Sequence, residues 1–490
     1  MKVVTTDEMR RIEKRDVNMR RFSLNDLVLS VAMTLEQRII ADNPAKVLIV
    51  CGPQRNGDYG LQLALLLHND TGMELSVVCA DLASSRYQPA IAQANLAVYD
   101  NQRAIRKLIG ESDYVVDCLF GIELDQRIGY PYNYWIEWLN AARHFVISVD
   151  LPSGLDADDG SLYGCCVRAS VTIAIQLPKL GFYLYPGSEY VGQVQVESVG
   201  LSYDAVQAQP ATAEINDLAA IKGMLPTRTP HSNKGTYGKV LLMAGSQGKT
   251  GAAILCGRAL LKSGAGLLTI MSGEKTIDAI ADNLYEAMSI SYNEGNLRQT
   301  VDQIDLRRFD LLVIGPGLGR GKDTDFLLQT VLRSELPCVI DADALYFLKD
   351  HLDLLSRKPL TVITPHVVEF GRIFDYRPES IAQDLVAISK RYPSLVTVFK
   401  GEHTLIAHDG QLTINTTGND ALAKGGSGDV LTGVIGGLMA QKPEVTSVVA
   451  GVYVHSLAAD YWVRSNSSYS LLASDLIEQI DKVLFDLTRS

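Results

Sequence analysis

The chain alternates short, continuously apolar runs with longer stretches in which apolar residues recur at helical spacing. Continuous apolar runs are typical of strands buried in parallel sheets, and a period near 3.6 is typical of helices. The alternation predicts an α/β fold with helices on both faces of the sheets. Strands are predicted at 46–51, 75–80, 114–119, 145–150, 171–175, 239–244, 267–271, 311–315, 338–341, 361–364 and 395–399, and helices at 61–68, 134–143, 252–262, 326–333 and 430–439.

The strand–helix pattern stops near residue 202 and restarts after residue 235. The join at 202–217 contains small polar residues and a proline, without periodicity, and 490 residues suffice for two to three domains. We expect two doubly wound α/β domains, at 1–205 and 218–490, joined by a linker at 206–217. No motif repeats between the halves, which indicates a fusion of different domains.

The amino-acid composition argues against several classes of partner and metal site. The chain is 47% hydrophobic and 21% charged, with a net charge of −11, and it contains no long run of Lys or Arg. This balance is typical of a globular protein and argues against nucleic acid or an anionic membrane as a partner. The seven cysteines form no CxxC pair and the eight histidines show no paired spacing, so we predict reduced thiols and no zinc site. With no signal-peptide core and no long apolar span, the chain is predicted to be soluble and cytoplasmic.

The most informative segment is the glycine-rich run at 418–433, which leads into the predicted helix at 430–439. Backbone N–H groups at a helix start bind anions, and glycines allow a phosphate to come close. Asp429 stands at the entrance, where its carboxylate could accept a proton from a substrate hydroxyl. The alternative is a glycine-rich turn in which Asp429 is only a helix cap.

Five polar loops follow five predicted strands of the second half, and parallel strands bind ligands at their carboxyl ends. A turn or a helix cap could explain any one of them, but their conjunction favours a ligand site. The first loop lacks the GxxxxGK[ST] spacing of a P-loop. The loops lie at 245–253, 315–319, 341–345, 364–369 and 400–404.

Together these loops resemble the ribokinase-like superfamily, and most closely its ADP/ATP-dependent NAD(P)H-hydrate dehydratases. The resemblance spans nearly all of 220–490. It implies a ribokinase-like fold and nucleotide-dependent dehydration of (6S)-NADHX or (6S)-NADPHX through phosphorylation of the C6 hydroxyl. It also implies Mg²⁺, ADP or ATP as co-substrate with ADP expected, and a homo-oligomer. The matching segments are 232–238, 264–267, 315–319, 341–345, 364–369, 400–401 and 425–429.

The same resemblance implies roles for individual residues. Asp429 would be the general base. The hydrate would be bound by Ala252, Gly317, His366 and Asp429. The adenine nucleotide would be bound by Lys400, Gly401, Glu402, His403, Thr404 and Gly428.

Three segments of the first half, at 117–121, 148–156 and 178–179, resemble the Rossmann-like NAD(P)H-hydrate epimerases. The resemblance covers about 1–205 and implies interconversion of the (6R) and (6S) hydrates. It makes Asp150 the acid/base and places K⁺ on Asn56, Asp117 and Ser153. The implied substrate contacts are Arg55, Asn56, Gly57, Asp58, Tyr59, Gly121, Ile122, Glu123, Leu124, Asp125, Gln126, Arg127 and Asp150.

The first half departs from the epimerase pattern in its phosphate loop. The family reads Gly-Pro-Gly-Asn-Asn-Gly-Gly-Asp-Gly, whereas residues 52–60 carry Gln54, Asp58 and Tyr59 at altered positions. Lost glycines obstruct backbone approach to a pyrophosphate, and Asp58 adds like charge. We expect slow epimerisation with a raised KM, unless Arg55 or Tyr59 replaces the lost contacts, Arg55 by pairing directly with phosphate. The alternative is a domain retained only for folding or assembly.

Two alternatives remain for the second half. A ribokinase-like kinase of a vitamin-precursor alcohol, such as a thiazole or pyrimidine, would yield a stable phosphorylated product. A regulatory module that binds nucleotide without turnover would gain little from a carboxylate beside the phosphates, so Asp429 argues against it.

Overall fold

The computed structural model describes residues 1–19, 23–70, 72–293, 295–357, 360–374, 376 and 380–489. By its internal contacts the chain divides into two compact units, residues 2–213 and 214–490, with Met1 grouped with the second. Within the described residues, none of the helices combines the length and apolar character needed to cross a membrane.

The first unit contains eight strands and seven helices within the described residues. The strands are β1 (Lys2–Val3), β2 (Lys46–Cys51), β3 (Glu74–Cys79), β4 (Val98–Tyr99), β5 (Tyr114–Cys118), β6 (Phe145–Val149), β7 (Val171–Ile175) and β8 (Gln193–Glu197). The helices are α1 (Thr6–Asn18), α2 (Leu24–Asp42), α3 (Arg55–Asp70), α4 (Gln88–Gln93), α5 (Gln102–Glu111), α6 (Tyr132–Ala141) and α7 (Tyr203–Gln207).

A seven-stranded parallel sheet forms the centre of the first unit, in the order β4-β3-β2-β5-β6-β7-β8. Helices α2 and α3 bury apolar residues such as Leu35 and Leu67 against one face of the sheet. Residues of α5 and α6, among them Ile105 and Trp135, cover the other face. This arrangement confirms the doubly wound α/β fold.

The short strand β9 (Ala213–Glu214) lies at the division between the units. The further strands are β10 (Lys239–Met243), β11 (Leu267–Gly273), β12 (Met288–Tyr292), β13 (Leu311–Ile314), β14 (Cys338–Ile340), β15 (Thr361–Ile363), β16 (Leu395–Phe399), β17 (Thr404–His408) and β18 (Gln411–Asn415). The helices are α8 (Leu218–Met224), α9 (Thr250–Lys262), α10 (Glu274–Ala281), α11 (Leu297–Asp302), α12 (Lys322–Arg333), α13 (Leu345–Leu348), α14 (Val367–Ile373), α15 (Ile381–Arg391), α16 (Ser427–Gln441), α17 (Val445–Val463) and α18 (Ala473–Thr488).

In the second unit the strands lie in the order β18-β17-β16-β15-β14-β13-β10-β11-β12 and are parallel from β16 to β12. Helices α9, α16, α17 and α18 bury their apolar residues in one continuous core against the sheet. Strands β10, β13, β14, β15 and β16 are neighbours, so the five polar loops that follow them meet at one edge of the sheet.

The sequence analysis missed strand β12 and the antiparallel part of this sheet. Strands β17 and β18 pair antiparallel with each other, and β17 also pairs antiparallel with β16. His408 pairs with Gln411, which leaves Asp409 and Gly410 as a two-residue turn with positive φ at both residues. An Asp-Gly pair between two apolar runs is a strong hairpin signal, which could have revealed these strands.

Candidate active sites

The start of α16 forms the floor of the first candidate site. Gly426 precedes the helix with φ of 91°, and a Cβ there would lie 2.8 Å from Leu255 Cδ1, so only glycine fits. Within the described residues no side chain caps this helix start. Ser427 N–H donates to Lys424 O at 3.3 Å, whereas Gly428 N–H has no acceptor in the described chain. The unpaired N–H group is suited to an anion.

A cavity of about 470 Å³ opens beside this helix start. It brings together three of the residues expected to bind the hydrate, namely Ala252, Gly317 and Asp429. The full lining is Gly248, Lys249, Gly251, Ala252, Leu255, Gly317, Arg320, Ala342, Asp343, Glu369, Gly425, Gly426 and Asp429.

Asp429 lies in the first turn of α16. Burial, and after it the carboxylate of Asp341, raise its pKa to about 6, although the ammonium of Lys400 acts in the opposite direction. A carboxylate with a pKa near 6 is ionised at neutral pH, yet more basic than an exposed aspartate. Its environment therefore suits a proton acceptor.

Lys400 is held beside Asp429 by two carboxylates. Its Nζ lies 3.2 Å from Asp341 Oδ1 and 3.9 Å from Glu369 Oε2, and Thr432 Oγ1 donates to Asp341 Oδ2 at 2.7 Å. Burial lowers the pKa of Lys400, but Asp341 and Glu369 outweigh this and raise it overall. Lys400 is therefore a charged, positioned donor at the end of β16.

The other expected nucleotide and hydrate residues lie outside the cavity lining. His366 caps α14, because its Nδ1 accepts from Val368 N–H at 3.1 Å, and its own N–H donates to Glu369 at 2.9 Å. Gly401, Glu402 and His403 form the turn between β16 and β17, Thr404 begins β17, and a Cβ on Gly428 would lie 3.7 Å from Lys400 Nζ.

His455 of α17 is a candidate residue that the sequence analysis missed. It is buried, and its Nε2–H donates to Ser427 O at 3.0 Å, so it holds the first peptide of α16. Burial lowers its pKa to about 4, which keeps the ring neutral. The sequence signal was weak, since a histidine in a largely apolar helix is usually structural.

In the first unit, Asp150 lies directly after β6 with φ of 70°. The ammonium of Lys179, which is fully buried, forms an ion pair with Asp150 Oδ1, and Lys179 also donates to Ile175 O at 3.2 Å. These contacts fix the orientation of the Asp150 side chain. The sequence analysis noted Lys179 as part of a motif without giving it a role.

Asn56, Asp117 and Ser153 form one buried cluster. Asn56 Nδ2 donates to Phe120 O at 3.0 Å, while Ser153 Oγ donates to Asp117 Oδ1 at 2.6 Å and accepts from Phe120 N–H at 2.8 Å. Asn56 Oδ1 is buried without a hydrogen-bond partner in the described chain. An unpartnered amide oxygen beside a buried carboxylate fits a hard cation such as K⁺.

The expected phosphate loop is not a loop here. Helix α3 begins at Arg55, six residues before the predicted helix start, so Asn56, Gly57, Asp58 and Tyr59 lie within its first two turns. The remaining cavity at this site measures only about 10 Å³. Its lining is Arg55, Asn56, Tyr59, Gly121, Ile122, Glu123 and Asp150.

Carboxylates of the protein already form hydrogen bonds and ion pairs with the groups expected to bind phosphate. Arg55 N–H donates to Glu123 Oε2 at 3.4 Å, and the Arg55 guanidinium pairs with Glu13 at 2.7 Å and with Glu123 at 3.5 Å. Arg55 is thus engaged within the protein rather than left open for phosphate. Asp58 pairs with Arg86 at 2.9 Å, which offsets the like charge expected from it.

The remaining expected contacts of the epimerase site differ in their exposure to solvent. Tyr59 is buried, and burial raises the pKa of its hydroxyl well above the usual range. Leu124 N–H donates to Gly121 O at 3.1 Å in a turn, while Asp125, Gln126 and Arg127 are exposed.

Family profiles match both units. The profile of the NAD(P)H-hydrate dehydratases matches residues 240–482, and the profile described as the YjeF-related protein N-terminus matches residues 26–181. The bifunctional NAD(P)H-hydrate repair enzyme of Moorella thermoacetica is 36% identical over 471 residues, which cover 90% of this chain and 88% of the relative. The chain belongs to the bifunctional NAD(P)H-hydrate repair enzyme family.

Other comparisons agree with membership in the bifunctional NAD(P)H-hydrate repair enzyme family. The repair enzyme of Thermofilum pendens is 33% identical over 471 residues, covering 90% of this chain and 88% of that relative. A solved structure of a ribokinase-like superfamily protein from Enterococcus faecalis is 28% identical, with a TM-score of 0.52. It covers 57% of this chain and 98% of its own, and it confirms the ribokinase-like fold of the second unit.

Proposed function

We propose that the second unit dehydrates (6S)-NADHX and (6S)-NADPHX in a nucleotide-dependent reaction, and that the first unit interconverts the (6R) and (6S) epimers. Membership in the repair enzyme family supports both activities. The single observation that carries the dehydratase proposal is the Asp429 carboxylate. It lines the cavity at the first turn of α16, and its pKa is raised to about 6.

In the proposed reaction Asp429 takes the proton of the C6 hydroxyl, and the hydroxyl oxygen attacks the terminal phosphorus of ADP or ATP. General-base assistance of this kind is worth about 10²–10⁴ in rate. Gly428 N–H and the Lys400 ammonium stabilise the charge on the transferring phosphoryl group. Phosphate then leaves from C6 with the bonding electron pair, driven by the lone pair of the ring nitrogen. Loss of a ring proton restores the dihydronicotinamide.

Mg²⁺ in such sites takes most of its ligands from phosphates and water, with one or two carboxylates. Glu369 and Asp429 line the cavity, so the donor set fits this ion. When bound, Mg²⁺ would neutralise charge on the nucleotide phosphates. Ala252 and Gly317 would pack against the hydrate, while Lys400, Gly401, Glu402, His403, Thr404 and Gly428 would bind the nucleotide.

In the first unit we propose Asp150 as the acid/base, with its orientation set by Lys179. Asn56, Asp117 and Ser153 would hold K⁺ through oxygen, and the unpartnered Asn56 Oδ1 supports this choice. Because the cavity is small and Arg55 is engaged by carboxylates, binding of the dinucleotide requires Glu123 to move. Slow epimerisation with a raised KM and a homo-oligomeric assembly stay predictions.

The test is to incubate the full chain with mixed epimers of NADHX, Mg²⁺ and either ADP or ATP. We expect NADH and free phosphate in equal amounts, with the (6R) epimer consumed more slowly than the (6S) epimer. A stable phosphorylated product would instead identify a kinase, and nucleotide binding without turnover would identify a regulatory module. A residual (6R) epimer that falls no faster than it does spontaneously would leave the first unit as a structural module.

A further inference from the structure

Two cationic side chains, Lys249 and Arg320, contact one buried carboxylate in the lining of the dehydratase cavity. Lys249 Nζ lies 2.8 Å from Asp343 Oδ2, and Arg320 Nε lies 3.2 Å from Asp343 Oδ1. All three residues line the cavity. The side chain of Asp343 is 11% exposed, whereas those of Lys249 and Arg320 are each 50% exposed. The carboxylate therefore anchors two cationic side chains that are half exposed.

Asp343 accepts only some of the hydrogen bonds that Lys249 and Arg320 can donate. Within the described chain, Lys249 donates one N–H and Arg320 donates its Nε–H to this carboxylate, and no other acceptor takes their remaining protons. The guanidinium of Arg320 also lies 5.1 Å from the centroid of the Tyr346 ring, which restricts its orientation. Positioned cations with unused donors are suited to a phosphate-type anion.

Asp343 itself is fixed in the ionised state. Burial raises its pKa, but the hydrogen bonds from Lys249 and from Gly319 N–H, the latter at 2.8 Å, outweigh burial and lower it overall. One negative and two positive charges leave this cluster with a net positive charge. The cluster is therefore complementary to an anion, unlike the carboxylate side of the cavity at Glu369 and Asp429.

The position of Lys249, Arg320 and Asp343 indicates which anion they bind. A Cβ on Gly317 would lie 2.7 Å from Lys249 O and 3.0 Å from Ala252 Cβ, so Lys249 packs against the two residues assigned to the hydrate. Lys400, by contrast, lies beside Gly428 on the side assigned to the nucleotide. We propose that Lys249 and Arg320 bind the pyrophosphate of the dinucleotide hydrate. This assignment rests on the proposed dehydratase function.

The test uses the full chain with Lys249→Gln and Arg320→Gln as single variants, which keep the side-chain stem and remove the charge. Lys322→Gln is the matched control, since Lys322 is an exposed lysine two residues beyond Arg320 that does not line the cavity. We expect the KM for (6S)-NADHX and for (6S)-NADPHX to rise about 10-fold in each site variant, because a charge-assisted hydrogen bond is lost. The kcat and the KM for ADP should stay within about twofold of wild type, and the control should match wild type.

Three outcomes would overturn the proposal. An unchanged KM for both hydrates would show that the cations are only structural. A rise confined to NADPHX would assign them to the 2′-phosphate, and a rise in the KM for ADP would assign them to the nucleotide. A second measurement, fluorescence titration with NADH, should show about 10-fold weaker binding in both site variants. If the wild type fails to dehydrate any hydrate, the proposed function falls, while the NADH titration still tests the cation pair.

Discussion

Glu123 Oε2 accepts a hydrogen bond from the backbone N–H of Arg55 at 3.4 Å, in the first turn of α3. A carboxylate of the protein thus occupies the helix start where the epimerase resemblance places a pyrophosphate. Negative groups at this position are stabilised by the N–H groups and the helix dipole, so a ligand has to displace Glu123 before it can bind.

We predict that Glu123→Gln lowers the KM of epimerisation about 5-fold, because the competing charge is removed. The variant is made in the full chain together with Asp429→Asn, which suppresses dehydration, and the conversion of (6R)- to (6S)-NADHX is followed by chromatography. Glu111→Gln serves as a control with the same charge change at an exposed site. An unchanged KM would show that Glu123 moves aside without cost.

Asp429→Asn should reduce dehydration by at least about 100-fold, because the hydroxyl proton loses its acceptor. Nucleotide affinity, measured by calorimetry, should remain near that of the wild type, since Lys400 and Gly428 are untouched. Near-normal turnover would refute the assignment of Asp429 as the base.

The pH dependence of kcat/KM should show an acid limb near pH 6, where Asp429 loses its proton as pH rises. Asp341→Asn should move this limb to lower pH, because one of the charges that raises the pKa of Asp429 is removed. The limb should stay above the ordinary aspartate range, since burial is the larger cause. The midpoint of this limb does not depend on how much of the variant is folded. An unchanged midpoint would therefore contradict the effect of Asp341 on the pKa of Asp429.

Asp429→Asn should also stabilise the second unit at neutral and alkaline pH. The pKa of Asp429 is higher in the folded chain, about 6, than its ordinary value of 3.8, so ionisation opposes folding as pH rises through this window. The gain should reach up to about 3 kcal/mol above pH 7 and vanish below about pH 4. The gain in unfolding free energy would be measured by scanning calorimetry, using the unfolding transition whose temperature rises when nucleotide is added. The exposed Asp481→Asn serves as control. An equal gain at all pH values would point to another cause.

His455 should act through Ser427, because its Nε2–H donates to the Ser427 carbonyl. His455→Leu leaves that carbonyl without its partner, and we expect kcat/KM for the nucleotide to fall about 10-fold. His455→Gln retains an amide donor and should recover most of the loss. Equal defects in the two variants would show that His455 matters only for packing.

The sequence by itself determined the α/β class, the strands that carry the site and the family. Continuous apolar runs predicted strands such as β2 and β16 with their observed bounds, because buried parallel strands tolerate few polar residues. Asp429, Ala252 and Gly317 were also identified from sequence, and the structure brings them to one cavity. Their roles stay predictions.

Only the tertiary structure decided which charged side chains pair with one another. The contacts of Lys249 and Arg320 with Asp343, and of Glu123 with Arg55, join residues that lie far apart along the chain. Local pattern also failed at 55–60, where the sequence suggested a loop and the chain forms the first turns of α3. The periodicity of apolar residues indicates which side of a helix or strand is buried. Ion pairing and desolvation depend on which helices, strands and loops lie next to one another, so only the tertiary structure determines them.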